Sequence, residues 1–435
     1  MKNKWVLLAF LCGLFLVYNI DRGILGVLAI PIQEEFGLTD VQFGCLSSGV
    51  FWTYALMAPL AGFAGNRFDK RMLLGITSVL WSLMTILAGF SCGFWSLFLL
   101  VSVALVAPQT CFFPTANALI SECHDDTRTR ALSFLMSSSH IGWLASGIAV
   151  AGILSLFGSW RWAYFIFGGA GLVLALVFLA GNRKAGSSAA GAKAADGGGG
   201  KPSFAESLKA FFACPAALLV ATSYVMMVFV GYGYVAWGPK FIAKKFAISP
   251  AAAGSGVMFC NFAAAFVAII AAGWITDRYV KGRPRFRLFF MIGTLLVAAP
   301  MMVLFAFGQT LAAVWAGAVV FGLARGAYEA NPVAALFDVV ELRYRAGAVA
   351  FMNVMAAVVG SLAPVTLGAL SQRYGMRGFE LGFAGLGCTF VIAIAALAVA
   401  ANTGAWPRRA GIQGGKDGAA CGTAGGSRCR SPERE

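Results

Sequence analysis

Gly62-Phe-Ala-Gly65-Asn66-Arg67-Phe-Asp69-Lys70-Arg71 and Gly273-Trp-Ile-Thr276-Asp277-Arg278-Tyr-Val-Lys281-Gly-Arg283 are two copies of one short loop. The second begins about 211 residues after the first, each time just beyond the second apolar run of a block of six. Each opens on glycine, carries Asn-Arg or Asp-Arg one helical turn later, and ends in basic residues. A period that long exceeds any solenoid unit and matches a membrane half-domain. The repeat therefore predicts a two-fold membrane protein whose working site lies between its halves.

Composition agrees. Of 435 residues, 59% are hydrophobic and only 12% charged, and mean hydropathy is +0.79. So few charges could not cover a water-soluble surface. Runs of spanning length occur at 5–30, 42–64, 72–91, 94–119, 131–157, 162–181, 213–237, 251–275, 288–308, 311–336, 347–370 and 381–402. Backbone groups in lipid must bond to one another, and the alternation of a barrel is absent, so each run predicts a helix. The expected fold is an all-α membrane protein with twelve transmembrane helices in two pseudo-symmetric six-helix bundles, residues 1–184 and 213–402. Residues 185–212 read as a flexible cytoplasmic linker, rich in Gly, Ala and Ser up to 203. Residues 403–435 read as a disordered cytoplasmic tail. Arg128-Thr-Arg130-Ala131 and Arg343-Tyr-Arg345-Ala346, ahead of the fifth and eleventh spans, echo the duplication.

The net charge of +15 is sorted by side rather than gathered into a nucleic-acid footprint. With a cytoplasmic N-terminus, about 25 of the 33 Lys and Arg fall on the cytoplasmic side. That reading gives a multi-pass protein of the inner or plasma membrane with both termini in the cytoplasm. Lys240, Lys244 and Lys245 fall on the opposite side. They either steer anions towards an entrance or mark a solvated helix end, and the second is the expectation here. No small-residue cleavage site follows the first apolar run, so it is expected to be a retained helix rather than a signal peptide. The ten cysteines lie singly without Cys-x-x-Cys, which gives no ground for a metal or a cofactor. No nucleotide-binding motif or catalytic constellation is visible, so neither ATP drive nor enzymatic chemistry is expected.

The six-plus-six arrangement and the G-x-x-x-(D/N)-R-x-x-(K/R) loop resemble the major facilitator superfamily of transporters over about residues 1–402. Tyr18-Asn-Ile-Asp21-Arg22, Phe112-Phe113-Pro114-Thr-Ala-Asn117, Gly158-Ser-Trp160-Arg161-Trp162-Ala-Tyr164-Phe165 and Trp237-Gly-Pro239-Lys-Phe241 resemble its anion:cation symporter group, with the spinster-like group as a neighbour. The resemblance implies that Asp21 is a protonation or ion-coupling site and that Arg22 engages a substrate carboxylate. It also implies substrate contact at Tyr54 and Asn353. Where that group carries Arg and Glu in the fourth span, this chain has Gln109 with nothing basic before it.

Ionisable groups inside a span cost a few kcal/mol each and mark function by default. Asp21 and Arg22 lie beyond the middle of the first span and diverge by about 100° around it. Tyr18 shares their face one turn earlier. A guanidinium fork pairs bidentately with carboxylate, which suits Arg22 to an anion. The alternative is a structural ion pair with Arg22 reaching for the interface. Arg325 and Glu329, at i and i+4 in the tenth span, share a face and form either an ion-coupling pair or a purely structural one. Ser139, His140 and Tyr232, then Tyr234 and Asn261, extend the candidate substrate cavity, unless they serve as glue between helices. Gly62, Asn66, Arg67, Gly273, Asp277 and Arg278 are expected to gate, the glycines by letting helices of opposite halves approach. With Asn66 neutral where Asp277 is acidic, the second copy is expected to be the stronger latch.

These features predict a secondary active transporter of a small organic anion, such as a sugar acid or carboxylate. It would work by H⁺- or Na⁺-coupled symport, as a monomer in the lipid bilayer. A drug or lipid exporter of the same fold, an uncoupled facilitator and a non-transporting membrane sensor are the alternatives.

Overall fold

The computed structural model describes residues 3–124, 127–182, 204–280 and 285–402. Among them, twelve helices are long and apolar enough to cross a membrane. The first half contains α1 (Lys4–Val27), α2 (Asp40–Arg67), α3 (Lys70–Ala88), α4 (Phe94–Cys123), α5 (Arg128–Phe157) and α6 (Arg161–Asn182). The second contains α7 (Pro215–Phe246), α8 (Pro250–Val280), α9 (Phe286–Phe307), α10 (Leu311–Val339), α11 (Gly347–Tyr374) and α12 (Met376–Asn402). No strand occurs among the described residues. The expected linker lies outside them up to residue 203 and ends in a short helix, Phe204–Phe212; the expected tail lies outside them entirely.

Local chemistry sets several helix ends. Thr39 and Gln42 form a reciprocal capping box on α2, which satisfies two N–H groups the helix would otherwise leave bare. Asp69 caps α3 by accepting from the Met72 amide at 2.9 Å. Two boundaries differ from expectation. The first helix stops at Val27, and a short helix, Ala29–Phe36, follows and ends on Gly37 at φ +62°. The seventh runs nine residues beyond 237, straight through Pro239. A proline inside a membrane helix frees few backbone groups, and its neighbours re-satisfy them.

Three helices depart from regularity. In α4 the stretch Phe98–Ala104 is π-helical, with Leu105 N–H donating to Leu100 O at 2.9 Å. In α10 the helix breaks between Glu329 and Pro332, because proline lacks an N–H and disfavours helix before it. In α11 it breaks at Ser361.

The duplication reappears in the packing. α1 packs on α5 and α6 as α7 packs on α11 and α12; α3 packs on α6 as α9 packs on α12. The seam between halves obeys the same symmetry, with α5 against α8 and α2 against α11. Leu11, Leu14, Phe15, Trp81 and Phe112 fill the first bundle; Val230, Tyr234, Phe241, Phe305 and Phe383 belong to the core of the second. Outside, Leu56, Leu156, Val173 and Val391 are each more than 60% exposed. An apolar surface of that kind belongs in lipid.

Residues 4 and 402 lie at one end of the bundle, here the terminal end; α1 leads from it to the opposite, far end. The halves meet closely at the far end. A Cβ on Gly26 would stand 2.3 Å from Val235 O, and one on Gly44 2.7 Å from Pro364 O, so only glycine admits these approaches. Ser48 Oγ donates to Ser361 O across the seam, and within the second half Trp237 Nε1 donates to Pro364 O at 2.8 Å, fixing the carbonyl that Gly44 faces. Near the terminal end, by contrast, a Cβ on Gly273 would meet nothing within 4 Å.

Candidate functional site

Arg22 projects from α1 into a pocket on the seam. Its Cζ lies 4.9 Å from the Tyr18 ring centroid and 5.1 Å from that of Tyr54 on α2. Such stacking steadies a guanidinium without using its donors. Nε and Nη2 are buried and have no hydrogen-bond partner. Asp21, one position earlier, does not pair with it. Its Oδ2 takes a weak 3.3 Å bond from Thr85 of α3, and its Oδ1 has none. The 100° divergence of adjacent helix positions thus sends the acid towards the interior of its own half and leaves the base on the seam.

Gln109 on α4, Trp143 on α5, and Phe51 and Tyr232, stacked 3.5 Å apart across the seam, line the same pocket. Gln109 is fully buried, with both side-chain amide atoms unpartnered. The pocket encloses about 40 Å³, room for a few water molecules.

A second cluster lies on α10. Arg325 Nε donates to Glu329 Oε1 at 2.7 Å, and Nη1 to Asn261 Oδ1 of α8 at 2.8 Å. Its guanidinium lies 4.8 Å from the Phe262 ring centroid. Glu329 Oε2 is 4.0 Å from His140 Nε2, a contact between halves, while His140 Nδ1 lies 3.1 Å from Met136 O. Tyr224 of α7 donates to Asn353 Oδ1 of α11 at 3.2 Å. It also lies within electrostatic reach of Glu329 and Tyr54. Tyr232 lies in reach of Arg22, Tyr224 and Tyr54. Tyr224 and Tyr232 thus lie between the two arginine clusters.

The other expected site residues are placed unevenly. Ser139 Oγ donates to Asn19 Oδ1 at 2.9 Å, clipping α5 to α1. Tyr234 is fully buried and donates to Val257 O at 3.3 Å. The side chains of Gly62, Asn66 and Asp277 lie outside the described residues. Arg67 is exposed; so is Arg278, over the Trp274 ring. Lys240 needs correction: it is 5% exposed, not a solvated helix end, and bonds Asp40 and Gln33 of the other half. Lys245 likewise reaches Glu380 at 3.0 Å and Ala306 O at 2.6 Å. Sequence reasoning passed over Tyr224, Trp143 and Phe51. Tyr224 lies two helical turns from Tyr232 on one face of α7, a spacing that could have shown it.

The chain matches the model of the Major Facilitator Superfamily over residues 10–364 and again over 234–416. It belongs to that superfamily, a family of transporters and not of enzymes. It is 25% identical over 249 residues to protein spinster homolog 1 of Xenopus laevis, which covers 56% of this chain and 47% of the frog protein. It is 25% identical over 299 residues to the D-galactonate transporter of Escherichia coli, covering 64% and 68%. The chain thus spans about half the length of the spinster relative. The fold is shared with a bacterial homologue of the human lysosomal transporter spinster, crystallised inward-facing and unoccupied. The TM-score is 0.80 at 21% identity, over 92% of this chain and 98% of that one.

Proposed function

We propose that this chain is a secondary active transporter that takes up a small organic anion, a sugar acid or other carboxylate, by alternating access with H⁺ or Na⁺. The observation that carries the reading is Arg22: a guanidinium on the seam between halves, stacked on two tyrosines, with buried donors and no protein carboxylate on them. A buried cation without an anion is costly, and a cargo carboxylate supplies the missing partner. The D-galactonate transporter among the relatives supports the same class of cargo. About 40 Å³ is too little for a sugar acid, so binding requires the halves to part, as alternating access does.

Asp21, adjacent in the chain, on the wall of the same pocket and bonded only weakly to Thr85, is the coupling group; Arg325 and Glu329 form the second charged pair of the cavity. The positive charge at the terminal end supports cytoplasmic termini in an inner or plasma membrane. The protein acts as a monomer.

The test is uptake of labelled D-galactonate and a panel of carboxylates into proteoliposomes. The intact chain accumulates at least one, and Arg22→Ala does not; normal uptake by Arg22→Ala removes the anion role. Buried, neutral Gln109 favours an uncoupled facilitator as the second reading. Uptake indifferent to imposed proton and sodium gradients would establish that instead.

A further inference from the structure

At the far end, four polar side chains form a closed network across the seam. Gln33 and Asp40 come from the first half, Lys240 and Ser371 from the second. Lys240 Nζ donates to Asp40 Oδ1 and to Gln33 Oε1. Gln33 Nε2 donates to Asp40 Oδ1 at 2.9 Å, and Ser371 Oγ to Asp40 Oδ2 at 2.5 Å. Val41 N–H of the first half adds a 3.3 Å bond to Gln372 Oε1 of the second. Among the ion pairs described, only this one and the longer His140–Glu329 contact join the halves. Gly368, one turn before Gln372, lets the backbone of Asp40 come close: a Cβ there would stand 2.5 Å from Asp40 O.

We propose that Gln33, Asp40, Lys240 and Ser371 are a latch that locks the halves together at the far end, and that its opening exposes the Arg22 pocket to that side. Two features make it a latch rather than a permanent staple. First, the network is satisfied only when both halves are present, so parting them strands a lysine and a carboxylate together. Second, it forms the floor of an open funnel of about 520 Å³, lined also by Glu34 and Lys244. Water from that funnel can take over every bond the latch gives up, so opening leaves no buried charge bare. The same pair deep in the bundle could not be opened reversibly. Shape holds the seam as well, through Gly26 and Gly44, but those close approaches have no bonds to trade for water.

Ser47 lies two turns along α2 from Asp40, is buried, and lines the Arg22 pocket beneath the latch. Ser47→Cys in the full chain is therefore a reporter of far-side opening. A membrane-impermeant maleimide is supplied from the far side of sealed vesicles, and labelling is compared with the chain lacking the reporter. Lys240→Gln and Asp40→Asn should speed labelling about tenfold or more. Lys240→Arg, which keeps charge and donors, should leave it slow. Ser371→Ala removes one bond without disturbing the charge pair and should give about threefold; it also serves should the charge variants fail to fold. Unchanged labelling in the folded variants overturns the latch. No cargo is needed, so the result stands apart from the anion reading.

Discussion

Two acid–arginine neighbours inside the membrane follow opposite courses. In α10, Arg325 and Glu329 are one turn apart, share a face and neutralise each other at 2.7 Å. In α1, Asp21 and Arg22 are consecutive, and consecutive positions cannot share a face; the acid turns to Thr85 and the base to the seam. The closer pair in sequence is the separated pair in space. A charge matched by its own helix has its donors engaged, whereas one denied its neighbour keeps them unspent.

The comparison breaks most directly at Arg22. Truncating one partner of a buried charge pair costs about 2–5 kcal/mol. Arg22→Ala should therefore weaken binding of the transported anion by about 30-fold to over 1,000-fold in a tryptophan-quenching or scintillation-proximity titration. Equal affinity would show that the bare guanidinium is not the anchor.

Asp21→Asn tests whether the separated acid has a task of its own. It should abolish gradient-driven accumulation while leaving exchange of labelled for unlabelled cargo intact. Accumulation that survives moves coupling to Glu329.

Glu329→Gln sharpens the other side. Breaking a fully buried pair costs about 3–5 kcal/mol. Glu329 keeps 24% of its side chain exposed, so about 1–3 kcal/mol is expected, read as a melting-temperature drop of a few degrees in detergent. A loss as small as that of a surface pair would mean that Arg325 is held by Asn261 and Phe262 alone.

Glu35 and Arg161 provide the exposed member of the series, at the far rim. The hydrogen bond from Arg161 holds the Glu35 carboxyl below its usual range. Its contribution is thus complete above the ordinary carboxylate range and disappears as pH falls through the lowered value. With Glu35 exposed and Arg161 partly so, at the rim, Glu35→Gln should cost under about 1 kcal/mol at pH 7. The difference from the parent chain should vanish in acid; a difference that grew there would contradict the pairing.

The architecture was legible because it rests on local, repeated signals: twelve apolar runs, a duplicated loop and charge sorted by side. The divergence of Asp21 and Arg22 was legible too, since helix geometry alone separates them. Lys240 was not. It falls beyond the apolar run that ends at residue 237, and its partner Asp40 lies two hundred positions away. No periodicity reports such a pairing. Tyr224 stayed hidden for a related reason: a tyrosine in an apolar helix looks like packing until Asn353 and Glu329 are brought beside it. What the sequence concealed is what crosses between helices distant in the chain.

The wide turn at Phe98–Ala104 has a consequence for how α4 can vary. A π-helical turn stores one surplus residue, so residue count and angular position are uncoupled there. Removing one residue from that stretch lets the helix rewind to regular geometry while Gln109 and Phe112 keep their directions. The same deletion in the regular part of α10 would swing Arg325 and Glu329 through about 100°. The fourth helix can therefore gain or lose length as other helices exchange side chains, and relatives aligned to it residue by residue are best superposed on either side of the wide turn separately.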